Sequence, residues 1–415
     1  MSWFARRYFA RINKKGLDLA KLPIPEPALL PLKRTGLDPV QELSDRREHE
    51  PISRVPIPFG INLWLVTGYE EAKLVLADTK SFSNDFGNLS GAGVTDQPNP
   101  GGLGFADPPV HSRLRKLLTP EFTMRRLSRL TPGIKAIIEQ RLDAIAEAAS
   151  AGPVDLVQEF ALPIPSLVIC ELLGVPYEDR VEFQHLAVSR FDLFGGATAS
   201  LGAISASLEY LLGVVRKQRE NPGDGLLGMI IKEHGDEIDD LELAGLADGV
   251  LTGGFETTAS MLALGVLVLL QDQDMFKRIH DDDKAASPFV EEILRYLTVV
   301  QVAFPRFARD DVEIAGVKMA KGDMVVVSLS GANRDPAFGP DLDRVDGTRV
   351  PMSHLAFGHG VHRCIGAELA RMELRVAYPA LVRRFPEMRL AKGADELEFR
   401  KVSIVYGVES LPVLI

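Results

Sequence analysis

Of the two cysteines in this 415-residue chain, Cys170 and Cys364, only the second has surroundings suited to chemistry. The chain there reads Phe357-Gly358-His359-Gly360-Val361-His362-Arg363-Cys364-Ile365-Gly366. Glycines at 358, 360 and 366 allow a tight, partly left-handed turn, or the close approach of something flat. Ile365, Leu369, Met372 and Val376 then recur at helical spacing, which places Cys364 just before a helix N-terminus. The positive end of the helix dipole and the adjacent Arg363 favour a thiolate. A thiolate presented in this way is a good axial ligand for haem iron. Cys170 lies instead in an apolar helical run, Pro165–Leu173, and reads as a packing residue.

Three further constellations could do chemistry. The segment Leu241–Leu270 is one 30-residue helical pattern containing Gly253-Gly254-Phe255-Glu256-Thr257-Thr258. Adjacent glycines in mid-helix cost roughly 1 kcal/mol each relative to alanine, so a local opening is expected there. Thr257 could hold a small ligand in that opening, beside the acid Glu256. Glu292 and Arg295 stand one helical turn apart and can form a buried ion pair, tolerable only when fully partnered. His111 and Arg115 stand at i and i+4, on one helical face.

Those residues must be positioned by a mostly helical chain with a small β portion. Asn62–Thr67 reads as a strand and Tyr69–Ala77 as a helix. Helical patterns follow at 120–150, 156–173 and 201–219. Val312–Leu329 reads as strands turning at Ala315-Gly316 and Lys321-Gly322. Two stretches rich in small and turn residues, 82–104 and 190–207, are expected to be access loops. Residues 1–45 form an amino-terminal arm, basic over Met1–Lys15, expected to lie on the protein body rather than on a membrane surface or an acidic partner. Composition is even, without repeat or linker, so one domain over 1–415 is expected. With 47 Lys+Arg against 57 Asp+Glu the net charge is −10, which argues against general nucleic-acid binding. No run of about 18 apolar residues suggests a membrane span. Two cysteines build neither a disulfide framework nor a Cys-rich zinc site, and a reducing, cytoplasmic location is expected.

Taken together these segments resemble the cytochrome P-450 superfamily, in its soluble bacterial branch, along nearly the whole chain. The resemblance rests on F-x-x-G-x-x-x-C-x-G at Phe357–Gly366 and on a G-G-x-E-T match at Gly253–Thr257. It also rests on E-x-x-R at Glu292–Arg295 and D-P-P-x-H-x-x-x-R at Asp107–Arg115. It implies a mainly α, triangular single domain, with haem b between the long distal helix and the Cys364 loop. By that match Phe357, Gly360, Gly366 and Gly253 surround the haem, and His111, Arg115, Arg306 and His362 meet its propionates. Thr257 hydrogen-bonds dioxygen, Glu256 supports proton delivery, and Arg344 completes the Glu292–Arg295 network. Leu297, Val300, Gln301, Val405 and Tyr406 are expected at the substrate pocket, with Gln301, Thr298 and Tyr406 as its polar anchors. The implied activity is a monooxygenase acting on an apolar organic substrate, by hydroxylation or epoxidation. Its electrons would come from a separate ferredoxin and ferredoxin reductase, docking on a basic face of Arg113, Lys116, Arg125, Arg126, Arg363 and Arg371. The alternatives are a peroxide-driven oxygenase of the same fold and a haem-thiolate gas or redox sensor.

Overall fold

The computed structural model describes residues 26–57, 62–85, 103–175 and 197–415, the side chains of 197–206 excepted. The basic segment 1–15 and residues 86–102 and 190–196 of the expected access loops lie outside the described residues. The organising element is a 32-residue helix, Asp240–Gln271, about 48 Å long at 1.5 Å per residue. Asp239 caps it, its carboxylate accepting from the Glu242 amide at 2.7 Å. Side chains from Leu243 to Leu269 are buried on nearly every face, as in a helix packed around its whole circumference. By length and composition it could cross a membrane, but 78% of its most apolar window is buried against the rest of the chain, as in a core helix.

The helix Ala367–Arg384, which follows Cys364, packs against this long helix. Tyr378 is the pin: its hydroxyl donates to the Met261 carbonyl at 2.6 Å. A Cβ at Gly265 would fall 2.0 Å from that same hydroxyl. The two helices can meet this closely only because position 265 lacks a side chain.

A five-stranded sheet stands beside the helices, in the order Ile52–Val55, Leu63–Val66, Met324–Val327, Arg306–Ala308, Phe82–Ser83. Leu63–Val66 and Met324–Val327 run parallel, Met324 opposite Leu63 and Val327 opposite Val66. Strand alternation splits the interior: Val325 and Val327 join Val75 and Phe82 on one face, while Met324 and Val326 pack with Leu63 and Leu65 on the other.

The helix Tyr69–Ala77 has the expected bounds. The turns at 315–316 and 322 do put Ala315, Gly316 and Gly322 at φ of 49°, 80° and 87°. The expected helix over 120–150 is broken into a 3-10 turn Thr119–Phe122, a short helix Met124–Leu127 and Thr131–Ala148, where Pro120 and Pro132 restart the helical path. The 156–173 pattern opens as a π turn, Val157–Ala161, before Pro163–Leu173. The expected loop 190–207 is helical from Ala197, as the start of Ala197–Glu220. Its alanines are strong helix formers, and no proline interrupts them. In the amino-terminal arm, Arg34 reaches across to donate to Gln301 Oε1 at 2.7 Å and to the Leu297 carbonyl at 2.6 Å.

Candidate active site

The Cys364 turn is shaped by two of its three glycines. Gly358 and Gly360 have φ of 69° and 72°, whereas Gly366 is at −82°. A Cβ at Gly360 would also fall 2.6 Å from the Leu76 carbonyl, so the turn presses on the end of Tyr69–Ala77. The Cys364 amide donates to the Phe357 carbonyl at 2.8 Å. Cys364 is accessible to water, and Cys170 is buried. The surrounding protein mass still raises the Cys364 thiol, while the Gly366 N–H and then Arg115, Arg363 and Arg371 pull it down. These properties suit a sulfur lining a cavity and facing several positive groups.

The turn is held by a buried ion network. Arg295 donates to Glu292 through Nε and Nη2 at 2.9 and 2.8 Å, and through Nη1 to the Asn333 and Leu342 carbonyls, both at 3.0 Å. Both side chains are 2% exposed. The third member is Arg349, whose guanidinium Nε donates to Glu292 Oε1 at 3.3 Å. Arg344 does not take that place: it is exposed and contributes only its carbonyl, 3.4 Å from Arg295 Nη2. Two arginines five positions apart in an irregular segment cannot be ranked by spacing alone. Neighbouring Glu291, which the sequence reading passed over, accepts from Arg371 at 2.7 and 2.9 Å and from Arg375 at 2.9 Å. Burial pushes its carboxyl up, but His354 and Arg371 outweigh that and hold it far below the usual range. Arg371 also lies over the Phe357 ring at 4.6 Å. Together these contacts tie the cysteine helix, the Ala286–Leu297 helix and the cysteine turn into one rigid support.

A second cluster is positive, with one carboxylate, Asp107, acting on it among the described residues. His111 is 1% exposed, and neither ring nitrogen has a hydrogen-bond partner among the described residues. Its ring lies 4.2 Å from that of His362. Arg306, 4% exposed, donates from Nη1 to the Phe304 carbonyl at 2.8 Å. Burial lowers the Arg306 guanidinium to about 10. Burial first, then Arg306, His111 and Arg115, drives His362 down to about 3. Asp107 is the one carboxylate acting on His111, Arg306 and His362, and it is already bonded to Ser83, the Asn84 amide and Arg309. Buried cations and orphaned imidazole nitrogens require anionic or acceptor partners. Two carboxylates of a bound group would supply them. The residues present therefore fit haem: Cys364 for the iron, and His111, Arg115, Arg306 and His362 for the propionates.

The third part of the site lies on the long helix. Thr257 Oγ1 donates to the Gly253 carbonyl at 2.7 Å. A Cβ at Gly253 would meet nothing within 4 Å, so the helix has open space beside it. Glu256 is 9% exposed and accepts from Arg400 Nη1 at 2.5 Å. Burial raises its carboxyl to about 7 against the opposing pull of Arg400, with Glu409 adding to the rise. Sequence reasoning missed Arg400. An acid on a buried helix needs a partner, which was a reason to look for one, but nothing local marks residue 400.

The polar residues expected to anchor substrate serve the scaffold instead. Gln301 is fully buried, accepting from Arg34 and donating to the Ser403 carbonyl at 2.7 Å. Thr298 donates to the Arg295 carbonyl at 2.7 Å and accepts from Asn333 at 2.8 Å. Tyr406 donates to the Gly36 carbonyl and stacks on Phe399. Leu297 is buried in the core. Val300 and Val405 are bridged and only half-buried. Beside them Ile404 is exposed, and Phe304 is exposed with its ring edge-on to Phe105 at 4.8 Å.

The expected basic face is thinner than its sequence. Arg113 pairs with Glu242, Arg126 with Glu121 and Glu233, and Arg371 with Glu291 and Glu368. Lys116, Arg125 and Arg363 are exposed without an ion pair among the described residues, and Met124 beside Arg125 is 55% exposed.

Comparison with known proteins agrees with this geometry. The family model for Cytochrome P450 matches residues 46–224 and 215–405. Cytochrome P450 165B3 of Amycolatopsis orientalis is 40% identical over 399 residues, covering 94% of this chain and 98% of that protein. Mycinamicin IV hydroxylase/epoxidase of Micromonospora griseorubida is 36% identical over 398 residues, covering 91% and 96%. Among solved structures, the P450 StaH from glycopeptide antibiotic A47934 biosynthesis superposes with a TM-score of 0.86 at 40% identity, covering 93% of this chain and 99% of that one. With its fold, its cysteine turn and these relatives in agreement, the chain belongs to the cytochrome P450 family, whose members are haem-carrying monooxygenases.

Proposed function

We propose that this monooxygenase hydroxylates or epoxidises an apolar organic molecule of the lipid, terpenoid, steroid or macrocycle class, taking electrons singly from a ferredoxin served by a separate reductase. The observation that carries the reading is a cysteine presented among cations by a glycine turn, in a chain whose long buried helix carries an acid–alcohol pair, Glu256 and Thr257, beside an opening. Haem, when bound, supplies the activation of dioxygen and the transfer of one of its atoms to carbon. Cys364 holds it from one side, and His111, Arg115, Arg306 and His362 neutralise its carboxylates. Thr257 donates to the Gly253 carbonyl, which holds its hydroxyl at the stretch of helix that is open beside Gly253. Burial raises the Glu256 carboxyl to about 7, which brings it toward the range suited to general acid work at neutral pH. A peroxide-driven oxygenase can dispense with this relay, and an intact one is wasted on a ligand sensor.

The apolar wall proposed for substrate is Val300, Ile404, Val405 and the Phe105–Phe304 pair, in place of the buried polar residues. With no free polar anchor among them, selection rests on shape and burial, at about 25 cal/mol per Å2 of apolar surface covered. The proposed ferredoxin face comprises the exposed cations Lys116, Arg125 and Arg363, with the exposed Met124 next to Arg125, and would steer an acidic partner. The test is a spin-state titration of the holoenzyme against a hydrophobic compound library, followed by turnover of each binder with ferredoxin, reductase and reductant. Oxygenated product from a binder supports the reading. Binding without product from any of them, while electrons are still accepted, opposes it.

A further inference from the structure

We propose that Arg400 is a positioning residue for the Glu256 proton relay: it ties that carboxylate to the carboxy-terminal loop, so that the acid's direction and charge depend on the loop that walls the substrate cavity. The inference deepens the function proposed above and rests on it. The guanidinium donates to Glu256 Oε1 at 2.5 Å, and the Glu256 side chain is 12% exposed, with little water to stand in for a lost partner. The arginine is itself anchored: its amide donates to the Gly407 carbonyl at 2.9 Å. A Cβ at Gly407 would stand 3.4 Å from Arg400 Cζ and 2.9 Å from Ser260 Oγ, a buried hydroxyl without a partner among the described residues, one turn along the long helix from Glu256. The stretch from 400 to 407 is in turn fixed to the segment after Leu297. Gln301 donates to the Ile404 carbonyl at 3.0 Å, Tyr406 to the Val299 carbonyl at 2.7 Å, and Val405 bridges Val300. One loop thus carries both the apolar wall, at Ile404 and Val405, and the clamp on the acid. The charged groups acting on Glu256 are Arg400, which favours the carboxylate, and Glu409, which opposes it.

The test uses the holoenzyme and two readouts. Infrared pH-difference spectra follow the Glu256 carboxyl, identified as the band absent from Glu256→Gln. Peroxide released per reductant consumed is followed over the same pH range. Arg400→Gln removes the favourable charge, so the carboxyl midpoint moves up by a unit or more, a tenfold change in the protonated ratio at fixed pH. The coupling profile moves with it. Arg400→Lys keeps the charge and stays near wild type in both. Arg400→Met keeps much of the aliphatic stem without the charge and also moves the midpoint up, which covers the case in which Arg400→Gln fails to bind haem. An unchanged midpoint in Arg400→Gln, or in Arg400→Met where the first cannot be measured, overturns the proposal. A moved midpoint in an enzyme that oxygenates nothing leaves the clamp standing and removes the monooxygenase reading. An unmoved midpoint with normal turnover does the reverse.

Discussion

The Glu292 network allows a graded perturbation, because three arginines contact it in different ways. Arg295 is 2% exposed and gives Glu292 two hydrogen bonds while also serving two carbonyls at 3.0 Å. In Arg295→Leu the carboxylate keeps the Asp346 amide at 2.9 Å and Arg349 Nε at 3.3 Å but loses its main counter-charge. Removing one partner of a buried pair costs about 3–5 kcal/mol, a large share of the ~5–15 kcal/mol that holds most folded chains together. Arg349→Leu removes one long, partly buried charged hydrogen bond and two bonds to the Pro340 and Asp341 carbonyls, together about 1–2 kcal/mol. Arg344→Leu leaves its carbonyl in place and changes only an exposed side chain, within about 0.5 kcal/mol. Urea unfolding of the three holoenzymes, read by far-UV dichroism and by loss of haem absorbance, gives the order 295, then 349, then 344. The reasoning fails if Arg344→Leu costs as much as Arg349→Leu, or if Arg295→Leu costs under about 1 kcal/mol.

Three more outcomes follow from the geometry. Gly265→Ala drives a methyl into the Tyr378 hydroxyl and lowers stability by about 1–3 kcal/mol, part of which Tyr378→Phe restores in the double variant, as thermal melting will show. Thr257→Ala removes the hydroxyl beside Glu256, so product per electron falls by ~2–4 kcal/mol of lost transition-state stabilisation while oxygen uptake persists; unchanged coupling would count against the relay. Charge reversal at Lys116 and Arg125 slows ferredoxin-dependent reduction at low salt without altering the melting temperature. Arg126→Glu, by contrast, lowers stability by placing a second carboxylate against Glu121, which is 1% exposed, and equal behaviour of the two would refute the assignment of the docking face.

The parts of the site legible in the sequence were those written in local spacing. The Cys364 turn needs its glycines because of left-handed φ values at 358 and 360, and the His111 helix needs its i, i+4 face; both constraints operate over a few residues. The strand pairing of Met324–Val327 with Leu63–Val66 was not legible, because it joins segments some 260 positions apart. Long-range partners failed for the same reason. Glu292 and Arg295 are neighbours in the chain, but the choice of Arg349 over Arg344 depends on how residues 333–355 wrap around them. Gln301, Thr298 and Tyr406 read as pocket anchors because polar residues in an apolar run suggest function. The structure gives each a backbone carbonyl to satisfy, two of them in segments distant in sequence, and burial then removes them from the cavity. Arg400 was invisible because its role exists only where the carboxy-terminal loop folds back onto the long helix.

The central claim is that the site activates dioxygen and transfers one of its atoms, with Cys364, Glu256 and Thr257 arranged for that purpose. The most direct measurement is mass spectrometry of product formed under isotopically labelled dioxygen, using a compound selected by spin-state titration and the full electron-transfer chain. The account predicts one labelled oxygen atom per product molecule in the wild type, and loss of labelled product in Cys364→Ala. Product carrying oxygen from water, or labelled product at wild-type yield from Cys364→Ala, would contradict it.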